Sequence, residues 1–322
     1  MRAIQFSRYG PTNVLDLVDL EKPTPGPHEC LVRVGATSVN PIDWKIRSGM
    51  LKRIMRIKLP FVPGYDVCGV IEDVAQDVTR FRQGDSIFVM VQTRRAGCYA
   101  ENVVVPEELC VPKPQFLSVI EAAAMPLAGL TALQALRDHG KIRTGHHVLV
   151  IGASGGVGHY AVQIVKAMGA HVTGVCGPTN VEMVKGLGAD EVIDYRKRDI
   201  GQLDEKYDLI LDAVAKHSFT AVRHLLAPRG IYVTTLPSFQ VLWRMIVMRS
   251  HSRARCVLAK PRAADLEFLS GLANDGRLRS VVDRVYALTE ARAAHEVSEA
   301  GHVAGKLVIA VKDDASMLRP AD

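Results

Sequence analysis

The sequence predicts an α/β protein in which a doubly wound parallel sheet is accompanied by a smaller β-rich unit. Three observations carry this reading. Residues 1 to about 112 form short alternating strands split by glycine, proline and asparagine; from about 121 strands alternate with helical stretches; after about 265 the pattern of the first stretch returns. At 322 residues the chain has room for two domains. Their expected extents are 1-120 with 266-322 for the β-rich domain and 121-265 for the parallel-sheet domain. The β-rich domain is therefore expected to be discontinuous in sequence.

Each element has its own signal. MRAIQFSRYG at the N-terminus alternates apolar and polar residues as a strand does, and LDLVDL, CLVRVGATSV, VCGVIEDV, DSIFVMV and AENVVV follow the same period. EAAAMPLAGLTALQALRD, at 121 to 138, is an alanine-rich helical stretch. HHVLVIG, HVTGVC, DEVIDY, YDLILDAV and GIYVTT are then separated by helical segments, the pattern of a parallel sheet covered on both faces. DLEFLSGLANDG, VVDRVYAL and KLVIAV close the chain as a helix and two strands.

Composition narrows the function classes. Apolar residues make up 48% and charged residues 23%, ordinary for a globular protein. The net charge of +6 is scattered; only YRKRD at 195 to 199 and MRSHSRARC at 248 to 256 cluster, so no nucleic-acid partner is expected. No apolar run reaches the length of a membrane span, and no membrane partner is expected. The six cysteines show no CxxC pair, metal-site spacing or disulfide framework, which points to a reducing cytoplasm.

The densest motif runs from 146 to 180, where an apolar strand enters a glycine cluster, then a helix, then a second strand. Ser154, Gly155, Gly156, Val157 and Gly158 stand at the strand-to-helix turn, where a dinucleotide fingerprint belongs. Gly155 admits a pyrophosphate to the backbone, Gly158 lets the helix pack closely, and free N–H groups at the helix start face the negative charge. Ala153 replaces the usual first glycine. A mononucleotide loop is excluded, because His159 and Tyr160 follow Gly158 where Lys and Ser or Thr are needed. An acid about 20 residues on would grip the ribose of NAD, yet 176 to 180 read Cys, Gly, Pro, Thr, Asn. That absence favours NADPH. Gly177, Thr179, Lys185 and Tyr195, with Arg196, are the candidate 2′-phosphate contacts. Thr179 also opens T-N-V-E, a helix capping box, and Lys185 has the ordinary alternative of a helix-surface lysine.

Read together, SVNPIDWKIRSG, PFVPGYDVCGVIE, FRQGD, GCYAE, AAAMPLAGLTALQAL, GASGGVG, LGADEVIDY and GHVAGKLVI resemble the medium-chain dehydrogenase/reductase superfamily, in its zinc-free quinone oxidoreductase branch. The resemblance covers essentially the whole chain. It implies a GroES-like β domain from both chain ends, a Rossmann domain between them in sequence, a substrate cleft between the two, and a homodimer. The alcohol dehydrogenases of the family hold zinc through two cysteines and a histidine. Here Asn40-Pro41-Ile42-Asp43 and Gly64-Tyr65-Asp66 stand at the corresponding places, and only Cys98 lies between 85 and 109, so no metal is expected.

Without a metal, hydride addition to an already electrophilic acceptor is the accessible chemistry, since a quinone or conjugated carbonyl takes the electrons onto its own oxygen. The expected activity is NADPH-dependent reduction of a quinone or an α,β-unsaturated carbonyl. Alternatives are an enoyl-thioester or 2-alkenal reductase, and a non-catalytic NADPH-binding protein with a structural, sensing or RNA-binding role. By motif match, Asn40 and Tyr65 are candidate hydrogen-bond donors to substrate and Lys45 a candidate proton donor, each with an ordinary alternative as a turn former, a packed ring and a solvated lysine. Asp66 is read as positioning a neighbour. Thr131, His302 and Lys306 match family positions beside the cofactor, and Trp243 and Met245 fall in the segment bordering the substrate pocket.

Overall fold

The computed structural model describes residues 1–92, 96–236 and 253–311. The chain divides into two compact units, Met1–Leu127 with Pro261–Asp322, and Ala128–Lys260. α2 (Val119–Ala124) packs on strands of the first unit, and the division falls just after it.

The first unit is a β assembly. β1 (Arg2–Gln5) and β2 (Asp16–Asp19) pair antiparallel. β3 (Glu29–Val39), β4 (Asp66–Val74), β5 (Ser86–Met90), β6 (Asn102–Pro106), β7 (Val111–Pro112), β14 (Val282–Ala287) and β15 (Lys306–Ala310) form one sheet. Its order is β14-β15-β3-β4-β5-β7, with β6 also on β3. β14 and β15 are parallel and the remaining pairs antiparallel, so strands from the two ends of the sequence lie side by side. The core holds Val32, Val34, Ile71, Val89, Leu307 and Ile309. α1 (Pro41–Arg47) follows β3 directly. α7 (Ala263–Asn274) and α8 (Ala291–Ala300) complete the unit.

The second unit carries a six-stranded sheet, parallel throughout. Its strands are β8 (His147–Ile151), β9 (His171–Cys176), β10 (Glu191–Asp194), β11 (Tyr207–Asp212), β12 (Leu226–Thr234) and β13 (Ala254–Cys256). The order β10-β9-β8-β11-β12-β13 puts the reversal between β8 and β11, where ligands of doubly wound sheets bind. α4 (Gly158–Ala167), α5 (Val181–Gly186) and α6 (Phe219–Val222) connect the strands.

One local expectation is refined and another corrected. The stretch 121 to 138 is α2, then α3 (Pro126–Gln134), then a π turn over Ala135–His139. Pro126 has no N–H to continue α2 but suits the first position of a new helix. Thr179 caps nothing: a 3-10 turn over Pro178–Asn180 precedes α5, whose N-cap is Asn180, without a side-chain cap bond. Pro178 fixes the chain so that the helix starts two residues after Thr179. Trp243 and Met245 lie outside the described residues.

Candidate active site

In the first unit β3 delivers its last residues to a buried polar cluster. Asn40 is extended, Pro41 occupies the first helical position, and the Asp43 carboxylate accepts from the Asn40 amide at 2.7 Å, which fixes the start of α1. Asp43 also accepts from the Gly64 amide at 3.1 Å and from the Tyr99 hydroxyl at 3.4 Å. One carboxylate thereby ties α1 to the approach to β4 and to the approach to β6. Burial pushes Asp43 up to about 7, against its backbone hydrogen bonds.

The Asn40 side chain turns inward. Its Nδ2 donates to Asp66 Oδ2 at 2.8 Å, and its Oδ1 accepts from the Lys306 ammonium at 2.6 Å. Lys306 also donates to the Val39 carbonyl at 3.2 Å. Asp66 accepts from Ser38 Oγ at 2.5 Å and from the Leu127 amide at 2.7 Å. Asn40, Asp43, Asp66 and Lys306 are each at most 3% exposed. Burial raises the Asp66 carboxyl and lowers the Lys306 ammonium, while each charge favours the other's ionised form. The second Nδ2 hydrogen of Asn40 has only long contacts, 3.3 Å to Ser38 Oγ and 3.5 Å to Ser38 O.

Tyr65 is 1% exposed, and its hydroxyl has no hydrogen-bond partner. Burial, and then the Asp43 charge, raise its pKa, so it stays a phenol with a proton to donate. Lys45 is half-buried, with its ammonium 5.4 Å from the Trp44 ring centroid and its pKa lowered by burial. No hydrogen bond or ion pair joins it to the Asn40 cluster.

In the second unit β8 leads into the glycine loop. The amides of Gly152 and Ala153 are both spent on the Val175 carbonyl, at 3.0 and 2.9 Å. Among the described residues, the amides of Ser154, Gly156 and Val157 meet no protein acceptor. They stand just before α4, so an anion there gains both their N–H groups and the helix dipole. A Cβ on Gly158 would lie 2.0 Å from the Gly152 carbonyl oxygen, which makes this glycine the contact between loop and helix. A Cβ on Gly155 would meet only that same oxygen, at 3.4 Å, and otherwise point into open space.

The end of β9 carries no acid, and Asn180 Nδ2 reaches Ser154 Oγ at 3.4 Å. Tyr195 is 49% exposed beside Gly177: a Cβ on that glycine would be 3.3 Å from the Tyr195 hydroxyl. A cavity of about 410 Å³ on this edge is lined by Pro178, Val181, Ile193, Asp194, Lys197 and Arg198 among others.

The structure joins Asn40 to Lys306 and sets Tyr195 beside Gly177; Tyr65 lies in the unit of the former pair, and Thr179 with Ser154 to Gly158 in that of the latter. Lys185 is exposed and paired with Glu182 at 2.9 Å. Thr131 is buried on α3. His302 is exposed at a left-handed φ of 69°, while Lys306, four residues on, is interior. Sequence reasoning missed Asp43 and Ser38 as members of the polar cluster. Asp43 had a signal, since Asn-Pro-x-Asp is a helix start with its N3 acid; Ser38 had none.

The family model described as "Alcohol dehydrogenase GroES-like domain" matches residues 26–115, and that described as "Zinc-binding dehydrogenase" matches 187–309. The donor set does not fit zinc. The Asp43 and Asp66 oxygens are occupied by hydrogen bonds from Asn40, Gly64, Tyr99, Ser38 and Leu127, and no cysteine or histidine among the described residues stands in this cluster to supply the soft ligands zinc prefers. Among the described residues no group of three or more His, Cys, Asp or Glu side chains is placed to hold a metal ion.

The chain is 37% identical to the chloroplast envelope quinone oxidoreductase homolog of Arabidopsis thaliana, over 96% of this chain and 98% of that protein. It is 32% identical to the mitochondrial NAD(P)H oxidoreductase RTN4IP1 of Danio rerio, over 89% and 85%. The quinone oxidoreductase of Coxiella burnetii superposes with a TM-score of 0.87 at 34% identity, over 97% of this chain and 99% of that one. Glycine loop, strand order and near-complete alignment agree, and the chain belongs to the quinone oxidoreductase-like branch of the medium-chain dehydrogenase/reductase superfamily, a family of oxidoreductase enzymes.

Proposed function

We propose that the protein is an NADPH-dependent, zinc-independent oxidoreductase that transfers hydride to a quinone or an α,β-unsaturated carbonyl. The observation that carries this reading is the trio of free amides, Ser154, Gly156 and Val157, at the start of α4. The acid-free end of β9 and the exposed cations Arg196 and Lys197 after β10 support the phosphorylated cofactor; Arg198 is paired with Glu205 at 2.8 Å. The similarity to quinone oxidoreductases supports the acceptor class. The six cysteines, all free and buried, support a reducing, cytoplasmic setting. The homodimer rests on the resemblance.

When bound, NADPH supplies the hydride. The residues of this chain supply orientation and charge stabilisation. Tyr65 holds its proton at Oη, and in this reading donates it as a hydrogen bond to the acceptor oxygen while negative charge grows there. Lys306 and Asp66 grip the two ends of the Asn40 carboxamide, whose remaining N–H has only the long Ser38 contacts and in this reading gives them up for the acceptor oxygen. Asp66, buried beside a cation, acts by positioning Asn40.

The test is NADPH consumption at a fixed protein concentration against naphthoquinones, 2-alkenals, enoyl thioesters and simple alcohols, with NADH and EDTA arms. EDTA-resistant turnover of quinones or enones with NADPH is the expected result, and the preferred acceptor separates the quinone reductase from the alkenal or thioester reductase. Alcohol turnover abolished by EDTA, or cofactor binding without turnover of any acceptor, overturns it.

A further inference from the structure

Beyond the C-terminal end of α1 the chain turns back over the first unit through Met50 to Lys58, reading MLKRIMRIK. Four of these nine residues are cations and none is an acid. The inner side of the segment accounts for its fold, because Leu51, Met55 and Ile57 pack against the core of this unit. The outer side serves no packing. Ile54 is 82% exposed and Met50 63%, with Lys52, Arg53, Arg56 and Lys58 exposed around them.

Other surface cations of the same unit are paired with acids: Arg2 with Glu101, Lys22 with Glu72 and Arg292 with Asp16. Among the described residues, none of the four cations from Lys52 to Lys58 has an ion pair or a side-chain hydrogen bond. The patch thus presents unneutralised positive charge around two solvated aliphatic side chains. Isolated exposed aliphatics are ordinary, but aliphatics ringed by unpaired lysine and arginine have the composition of an interfacial anchor.

We propose that Met50 to Lys58 is a docking surface for an anionic lipid bilayer, with Ile54 and Met50 entering the headgroup boundary and the four cations meeting lipid phosphates. The charge complementarity selects an anionic partner, and the side chains select lipid over nucleic acid. A single-stranded nucleic acid needs flat aromatic faces for its bases to stack on, and the segment has none. The expectation of no membrane partner rested on the lack of a spanning segment, and surface contact requires no span. Nothing in this inference depends on the hydride chemistry.

The test is flotation of the purified full chain with vesicles of phosphatidylcholine alone, or with about 30 mol% phosphatidylglycerol, at low salt and at about 0.5 M salt. The wild type is expected to float with anionic vesicles only, and to be released by salt. The double variant R53E/R56E is expected to lose at least about tenfold in partitioning. Ile54→Asp is expected to lose several-fold with an unchanged melting temperature, because this side chain is solvated in the free protein. The double variant K216E/R229E, an equal charge change at two exposed cations of the other unit, is expected to bind as wild type. The proposal is overturned if the wild type ignores anionic vesicles, if K216E/R229E weakens binding as much as R53E/R56E does, or if Ile54→Asp and R53E/R56E both bind normally. Binding of a single-stranded RNA oligonucleotide through Arg53 and Arg56, with no vesicle binding, overturns it in favour of nucleic acid.

Discussion

Tyr65 has the most informative side chain of the first unit because its hydroxyl is buried and unpartnered. A buried hydroxyl without a partner costs about 1–3 kcal/mol, so Tyr65→Phe is expected to leave stability unchanged or higher in urea denaturation. If the hydroxyl serves the acceptor oxygen, the same change lowers kcat/KM by about 10²-fold. Lys306 behaves oppositely. Lys306→Met leaves two buried carboxylates without their cation and frees the Asn40 carboxamide, and is expected to cost about 3–5 kcal/mol in the same measurement. Asp43 sets a pH dependence. Its pKa is raised from 3.8 to about 7 by burial, so the folded state binds this proton more tightly than the unfolded chain. The stabilisation is complete below the unfolded value and is lost as pH rises through about 7. Denaturation midpoints measured from about pH 4 to 8 are expected to show this fall, and Asp43→Asn is expected to flatten it.

The glycine loop and the capping turns show where sequence patterns suffice for an element and where they do not. Strand, loop and helix from 147 to 167 were legible because the apolar run, the glycines and the helical period all occur within twenty or so residues. Gly155 and Gly158 look equivalent in the motif and differ in space. Gly158→Ala drives a methyl into the Gly152 carbonyl and is expected to lower the melting temperature, whereas Gly155→Ala fits the fold and fills the open side of the loop. The latter is expected to keep the melting temperature while weakening NADPH binding at least about tenfold in a fluorescence titration, as one lost close approach to a charged group implies. The failed cap at Thr179 has the converse lesson. T-N-V-E satisfies the capping pattern, but Pro178 stiffens a 3-10 turn that moves the helix start beyond it. The break at Pro126 was equally readable, since proline cannot continue α2.

At the scale of the molecule, cofactor choice is a linkage question. A ligand bound only by the folded state stabilises it by about 2.7 kcal/mol at a hundred times its Kd. NADPH is therefore expected to raise the melting temperature more than equimolar NADH does, and equal shifts would remove the 2′-phosphate assignment at Gly177, Thr179 and Tyr195. Light scattering on the free protein checks the homodimer. The sequence by itself determined the division into a β-rich and an alternating stretch, the return of the β unit at the C-terminus, the dinucleotide loop and the missing ribose acid. All of these are written in spacings of a few residues, over which periodicity and turn chemistry act. Only the tertiary structure decided that Asn40, Asp66 and Lys306 form one buried cluster, and that the Tyr65 hydroxyl is buried without a partner. Lys306 and Asn40 are 266 residues apart, and burial with its pKa shifts belongs to the packed sheet that joins the chain ends, so no local pattern carries it.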